Sequence, residues 1–449
     1  MPITLKPSPE REVLDIKKAE AMVSSWRKEL LAYQILNPDA PLCDRIILSN
    51  KSYTEDAITI IAEFLTSTEV FNPSISAGIK YAQLDDMIAS RMEEEGLAVL
   101  TAISNVFENS QLIEVDLSDN AMGSKGVIAC KMVIGGPAAL NSMESLKLCN
   151  NGLSEYTMGE VAELLTDENG VDGSCIAQNL RCLHFYNNMS GNEGCESFAL
   201  IMAKCSDKLE DIRMSGTRAR AEGSAEIASS LSSLAEQKKL VKLTRLDLGD
   251  NSFGECFEDL ASAIRACPQL TYLNLSDCVL GDEGVEDICN ALLDADAPLE
   301  YLNLGGNDMT KDGAKVVAKL IQALNSTLVT FIADENCELT SKGIAIIAKA
   351  FNSQTVKEIK FNGTECGTIG AEAIIAMKQN LPNLEILEID DNRILEEAVE
   401  RLTEVFGDIL AEMEGNDDEE DADGDLSDDE DDDDTSVDDL AAAMANVAV

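Results

Sequence analysis

The sequence predicts an α/β fold of the leucine-rich-repeat class, a solenoid with parallel strands on a concave side and helices outside. Three observations predict it. A ladder of the form LxxLxLxxN recurs along the chain. The later ladders follow one another at intervals of 27, 29, 29, 28 and 28 residues, and the earlier ones at 29 to 37. Segments between them, such as GVIACKMV, GEVAELL, GVEDICNALL and GAKVVAKLIQAL, carry helical apolar spacing and mostly begin just after a glycine.

The clear ladders are LIEVDLSDN (112–120), MESLKLCNN (143–151), LRCLHFYNN (180–188), LEDIRMSGT (209–217) and LTRLDLGDN (243–251). They continue with LTYLNLSDC (270–278), LEYLNLGGN (299–307), LVTFIADEN (328–336), VKEIKFNGT (356–364) and LEILEIDDN (384–392). Two weaker units, CDRIILSNK (43–51) and IKYAQLDDM (79–87), bring the count to twelve. The period belongs to long repeats in which a full helix follows each strand, as in a ribonuclease-inhibitor-like horseshoe. One strand–helix unit is too small to bury its own apolar face, so stacking must close the core. The asparagine that ends each ladder can satisfy backbone groups of the turn, and Ser, Thr or Cys can partly replace it.

Three parts follow from this pattern. Residues 1–40 form an N-terminal segment in which 12–36 reads as an amphipathic capping helix. Residues 41–413 hold the repeats, and the helical stretch 393–413 closes the far end. Residues 414–449 are expected to be a disordered acidic tail.

Composition narrows the function. The formal charge is −49; residues 414–439 carry 17 carboxylates and no base, which leaves −32 on the rest. A surface of that sign repels nucleic acid and anionic lipid and favours a basic protein partner. The thirteen cysteines include no CxxC pair. Cys256, Cys267, Cys278 and Cys289 fall eleven apart, a spacing read as repeats placing small buried hydrophobes alternately on helix and strand. Thiols in this number imply a reducing compartment. The N-terminus lacks the apolar core of a signal peptide, and no stretch approaches about 18 continuous apolar residues. A monomeric, intracellular protein is expected.

Self-sufficient catalysis is not. The sole histidine, His184, sits within a ladder strand at an outward concave position, so a histidine-dependent triad elsewhere is impossible. Phosphate-loop and dinucleotide fingerprints are missing. No cofactor and no metal site are expected. What remains is a binding surface made of strand and rim positions: Asp85, Asp86, Asp116, Asp119, Lys147, Asn150, Tyr186, Asn187, Arg213, Asp247, Asp250, Tyr272 and Asp277.

The early and middle repeats say more. The stretches IILSNKSY, ASRMEEEGL, VDLSDNAMGSKGV, LKLCNNGLS, LHFYNNMSGNEG, LEDIRMSGTRARAEG and LNLSDCVLGDEG, in that order and followed by an acidic tail, resemble the GTPase-activating proteins of the small GTPase Ran. The resemblance covers roughly residues 40–435 and is closest to plant members in the middle repeats. It implies an activator rather than an enzyme in its own right, acting in trans on GTP-bound Ran in nucleocytoplasmic transport. A Ran-binding protein would be a third member of the complex, and the location would be cytoplasmic and perinuclear. It further implies site residues. Arg91, in ASRMEEEG, matches the family's loop arginine after the second repeat, and Asn150, in LCNNG, matches the asparagine before the fourth ladder asparagine. In this family no arginine finger enters the nucleotide site; the activator orders Ran's own glutamine and switch regions. Asn150 would position that glutamine, Arg91 would support the interface, and Asp85, Asp86, Asp119, Asn187, Asp250 and Asp277 would meet the partner. The departures are a poorly patterned stretch before the second ladder and Glu93 where some members carry a base. The competing reading is a non-catalytic repeat scaffold or inhibitor.

Overall fold

The computed structural model describes residues 2–170, 173–417 and 421–423. They fall into two compact units, 1–240 and 241–449.

In the first unit seven short strands pair in parallel, in chain order: Ile3–Leu5, Cys43–Ile47, Tyr81–Gln83, Glu114–Asp116, Ser145–Lys147, Cys182–His184 and Asp211–Arg213. In the second, six do so: Arg245–Asp247, Tyr272–Asn274, Tyr301–Asn303, Thr330–Ile332, Glu358–Lys360 and Ile386–Glu388. Each of the twelve ladders supplies one strand. The register is constant, so equivalent ladder residues stand side by side: Gln83 beside Asp116, then Lys147, then His184, then Arg213. Between strands run helices such as Glu155–Thr166, Gly191–Lys204, Gly281–Ala295 and Lys311–Ala323. Their inward faces and the ladder leucines make the core, with Leu146, Leu183, Leu273 and Leu302 fully buried.

The ladder asparagines form a polar spine beside that core. Asn188 shows the arrangement: its Oδ1 accepts from the backbone N–H of Asn151 (3.0 Å) and Leu153 (3.2 Å), and its Nδ2 donates to the carbonyls of Phe185 (2.8 Å) and Leu148 (3.1 Å). A side chain amide can serve both ends because it carries an acceptor and two donors, and buried turn backbone needs both. Asn120, Asn151, Asn307, Asn336 and Asn392 repeat it. Where the asparagine is lost, Thr364 donates its hydroxyl to the Phe361 carbonyl, and the Cys278 thiol faces the carbonyls of Leu248 and Ser276.

The ends differ from the sequence expectation. The capping helix begins at Ile16, not 12, because Asp15 caps it through the Lys18 N–H. Residues Glu12–Leu14 instead pair with Lys51–Tyr53, and Ile3–Leu5 extends the ladder sheet over its first edge. Neither strand carries a ladder. Trp26 and Leu30 bury the helix against the first repeat, and the Trp26 Nε1 donates to the Lys6 carbonyl at 3.1 Å. Leu30→Ala is therefore expected to cost about 2–5 kcal/mol. Urea unfolding followed by fluorescence of Trp26, the single tryptophan, checks it.

The helical segment of the third repeat is not continuous: it breaks into Gly123–Ala129, Lys131–Gly135 and Pro137–Ser142, the last opening at a Gly–Pro pair that cannot extend the preceding helix. At the far end the helix Glu396–Phe406 is followed by a bridge from Leu410 to Leu387, which covers the last strand edge. Most of the acidic tail expected over 414–449 lies outside the described residues. The described ones dock on the last repeats. Asp421 and Asp423 accept the N–H groups of Thr368 (3.0 Å) and Ile369 (2.6 Å) at the start of the helix Thr368–Met377, which has no side-chain cap of its own. Carboxylates are favoured at that end of a helix dipole.

All thirteen cysteines are free thiols. Cys267, Cys278 and Cys289 are buried and Cys256 is half-buried, as small hydrophobes. The expected alternation of helix and strand is not their placement: Cys256 precedes a helix, Cys267 follows one, Cys278 sits in a ladder turn and Cys289 lies within a helix.

One acid of the second unit is set for a pH effect. Burial pushes the Asp334 carboxyl up to about 6, against the opposing hydrogen bonds from Asn362. A carboxyl raised in the folded state stabilises most when protonated, and that contribution is lost as pH rises from about 4 through about 6. Asp334→Asn is expected to flatten this part of the stability profile and to raise the melting temperature at neutral pH. Thermal melts at pH 4, 5, 6 and 7.5 test it.

Candidate functional site

The residue just before each ladder's last position turns the chain from strand toward helix, and it does so with a positive φ. Asn50, Asp86, Asp119, Asn150, Asn187, Asp250, Asp277, Glu335 and Asp391 have φ between 51° and 61°, apart from Asp86 at 49°. Gly216, Gly306 and Gly363 fill the same place at 63°. Asn, Asp and Gly tolerate this left-handed conformation better than other residues. Six of the eight site residues read from the sequence therefore stand where the backbone itself asks for their type.

In the first unit this column is stitched together. Asn187 Nδ2 donates to Asn150 Oδ1 at 3.0 Å, and Asn150 Nδ2 donates to Asp119 Oδ1 at 2.7 Å. All three side chains are solvent-exposed. Asn150 is thus not free at the rim, as its position beside the spine residue Asn151 suggested; it is held from both sides with its amide orientation fixed. Further along, Asp86 makes an ion pair with Arg11 at 2.9 Å, and Asp85 accepts from the Ser49 hydroxyl at 2.6 Å. Partial burial raises both carboxyls, opposed by the Ser49 hydrogen bond at Asp85 and by Arg11 at Asp86.

Arg91 lies in the loop between the second ladder and the helix Glu93–Val106. The turn before it uses Ser90 at φ 62°. Its side chain is only 16% exposed, with one guanidinium nitrogen 3.4 Å from Glu95, and its buried Nε finds no protein acceptor. Beside it opens a crevice of about 670 Å³ between the second and third repeats, lined by Arg91, Met92, Leu97, Leu100, Asp119 and Lys125. Met92 on its lip is 80% exposed. Asp119 belongs both to this crevice and to the hydrogen-bonded row, so Arg91 and Asn150 flank one continuous stretch of surface. Asp250 and Asp277 belong to the second unit.

Sequence reasoning missed Met92 and the crevice, although a bare methionine between Arg91 and three glutamates was a visible signal. It also overstated how open the strand face is. Asp247 is 1% exposed and accepts from Asn274 at 2.9 Å, so it is a buried acid and not a surface one. Arg213 lies 3.7 Å over the ring of Tyr186, Arg245 3.7 Å over Tyr272, and Tyr272 stacks on Tyr301 at 4.1 Å. His184, expected to be exposed, is 14% exposed and meets Asp211 at 2.8 Å. Among the described residues one group, Cys182, His184 and Asp211, could hold a cation.

Comparison with known proteins agrees with the repeat. A leucine-rich-repeat family model matches residues 108–129, 266–289 and 296–318. The chain is similar to RAN GTPase-activating protein 2 of Arabidopsis thaliana, 32% identical over 34% of this chain and 27% of that protein. RAN GTPase-activating protein 1 of the same plant is 33% identical over 22% of this chain and 17% of its own length. Ribonuclease inhibitor of Sus scrofa is 26% identical over 59% of this chain and 55% of that protein. The chain thus spans between about a sixth and about half the length of these relatives. No helix among the described residues is long and apolar enough to cross a membrane. With twelve ladders, a shared asparagine spine and matches of this kind, the chain folds as a leucine-rich-repeat protein.

Proposed function

We propose that the chain is a GTPase-activating protein for Ran, stimulating GTP hydrolysis in trans by ordering Ran's own catalytic groups. The observation that carries this reading is the surface flanked by Arg91 and Asn150. An amide with a fixed orientation suits positioning a partner's side chain, because a group already held loses little entropy when it makes one more hydrogen bond. The relatives that activate Ran support it. On this reading Asn150 sets Ran's glutamine, Arg91 with its unused Nε anchors the interface, and the rim of Asp85, Asp86 and Asp119, with the neutral Asn187 beside them, meets a basic face of the partner. Water is excluded as the partner closes, which strengthens every charge placed near the phosphate. A Ran-binding protein in the same complex, and a cytoplasmic and perinuclear location, go with this proposal.

The second reading is a non-catalytic scaffold or inhibitor. It is favoured by the similarity to ribonuclease inhibitor, and by the backbone reason for Asn or Asp throughout the positive-φ column. Single-turnover GTP hydrolysis by purified Ran, with catalytic amounts of this protein, separates the two. The activator accelerates it; the scaffold leaves the intrinsic rate unchanged. Arg91→Ala is expected to weaken Ran binding about tenfold or more, with a smaller effect on the rate at saturation.

A further inference from the structure

We propose that Cys182, His184 and Asp211 form a binding site for a zinc ion on the strand face of the fifth and sixth repeats. Cys182 and His184 are alternate residues of one strand, so both side chains leave the same face of the sheet. Asp211 stands directly beside Cys182 on the next strand. Together they present one sulfur, one nitrogen and one oxygen, all within 4.8 Å of one another. His184 Nε2 and Asp211 Oδ1 are already 2.8 Å apart.

The donor set selects the metal. A thiolate, an imidazole and a carboxylate are together the ligands of a borderline-soft divalent ion, and zinc accepts all three in a tetrahedron. Tetrahedral ligand atoms around zinc lie about 3.3–3.8 Å apart, so the imidazole–carboxylate pair, now at 2.8 Å, opens by about half an ångström on binding. Three protein ligands leave the fourth position for water or for a side chain of a bound partner. The charges on the same face are mixed: Glu114 has Lys147 at 3.8 Å, and Lys147 and Arg213 stand beside His184 on the neighbouring strands.

Burial, with the Asp211 and Glu114 charges, pushes the Cys182 thiol up to about 12, against the Ser145 hydrogen bond and Lys147. Binding through the Cys182 sulfur releases the thiol proton to solvent as the zinc–sulfur bond forms. Zinc would take the Nε2 lone pair of His184, the ring atom that already faces Asp211 at 2.8 Å. Asp211 then shares its carboxylate with the metal. No electron is transferred.

Two measurements test the site on the reduced full-length chain without an affinity tag. Cobalt(II) serves as the first probe. Its expected spectrum has a sulfur-to-metal charge-transfer band in the near ultraviolet and tetrahedral visible bands, both displaced by zinc. Cys182→Ser removes the charge-transfer band, and Cys337→Ser, at the exposed cysteine, leaves it intact. His184→Gln and Asp211→Asn each weaken zinc more than about tenfold. The second measurement needs no variant: His184 is the only histidine, so its two ring nitrogens give one unambiguous pair of resonances. Zinc is expected to shift Nε2 strongly and to fix the proton on Nδ1. A charge-transfer band that persists in Cys182→Ser, or ring resonances that do not move with saturating zinc, overturns the site.

Discussion

Asn150→Ala is expected to lower the stimulated GTP turnover of Ran about a hundred-fold while weakening Ran binding by no more than about tenfold. The split follows from geometry. Asn150 is an exposed residue of one turn, so its contact area with any partner is small, and an affinity spread over a long surface survives its loss. Its amide, however, is clamped between Asp119 at 2.7 Å and Asn187 at 3.0 Å, and a clamped group is what a positioning role needs. The alanine carries a complication, since φ is 51° there and a Cβ is disfavoured. That strain costs about 1–2 kcal/mol. Asn150→Gly removes the side chain without the strain, so both variants losing turnover to the same extent assigns the loss to the amide. Asn150→Asp keeps the shape but sets a carboxylate against Asp119, and should also lose activity. Glycine and alanine variants that both retain full turnover would remove Asn150 from the proposed mechanism and leave Arg91 and its crevice as the remaining candidate.

The ladder was legible because everything that makes it is local. Leucines at fixed offsets point inward by the alternation of a strand, and an asparagine at the end satisfies a turn whose needs are the same in every repeat. Ile3–Leu5 and Glu12–Leu14 were not legible, since each pairs with a strand roughly forty residues away and neither has a pattern of its own. The docking of Asp421 and Asp423 on a helix start was hidden for a related reason: acidic composition says nothing of a vacant cap fifty residues earlier.

The candidate site was legible in a more mixed way. Asp86, Asp119, Asn150, Asn187, Asp250 and Asp277 were chosen as surface polar residues, and they share one positive-φ position. Backbone geometry alone selects Asn, Asp or Gly there, so residue type cannot by itself mark function. What separates Asn150 is the row of hydrogen bonds across three repeats, which requires knowing that residues 31 and 37 positions apart stand side by side. Arg91 is the opposite case. No conformational demand explains an arginine in its loop, and its buried Nε has no protein acceptor. The cluster of Cys182, His184 and Asp211 was invisible for the same reason as the row: its third member comes from the next strand.

Asn188→Ala should destabilise the first unit by about 3–5 kcal/mol, far more than Asn187→Ala one residue earlier. Asn188 is buried, and its removal leaves the N–H groups of Asn151 and Leu153 and the carbonyls of Leu148 and Phe185 without their side-chain partner. Each buried orphan costs about 1–3 kcal/mol, partly relieved as the turn relaxes. Asn187 is exposed and makes one side-chain bond to Asn150, so its replacement by alanine costs chiefly the left-handed strain, about 1–2 kcal/mol. The sequence itself offers a rescue. Thr217 and Thr364 hold the same ladder place, and Thr364 still donates to a turn carbonyl at 3.1 Å, so Asn188→Thr should recover part of the loss. Urea unfolding of the three variants by circular dichroism measures the series, and an Asn188→Ala variant within about 1 kcal/mol of the parent would show that the spine is dispensable. The turn of Asn150 hangs from the same Oδ1. A destabilised but still folded Asn188→Thr protein should therefore also stimulate Ran less, linking the spine that holds the fold to the row that is proposed to act on the partner.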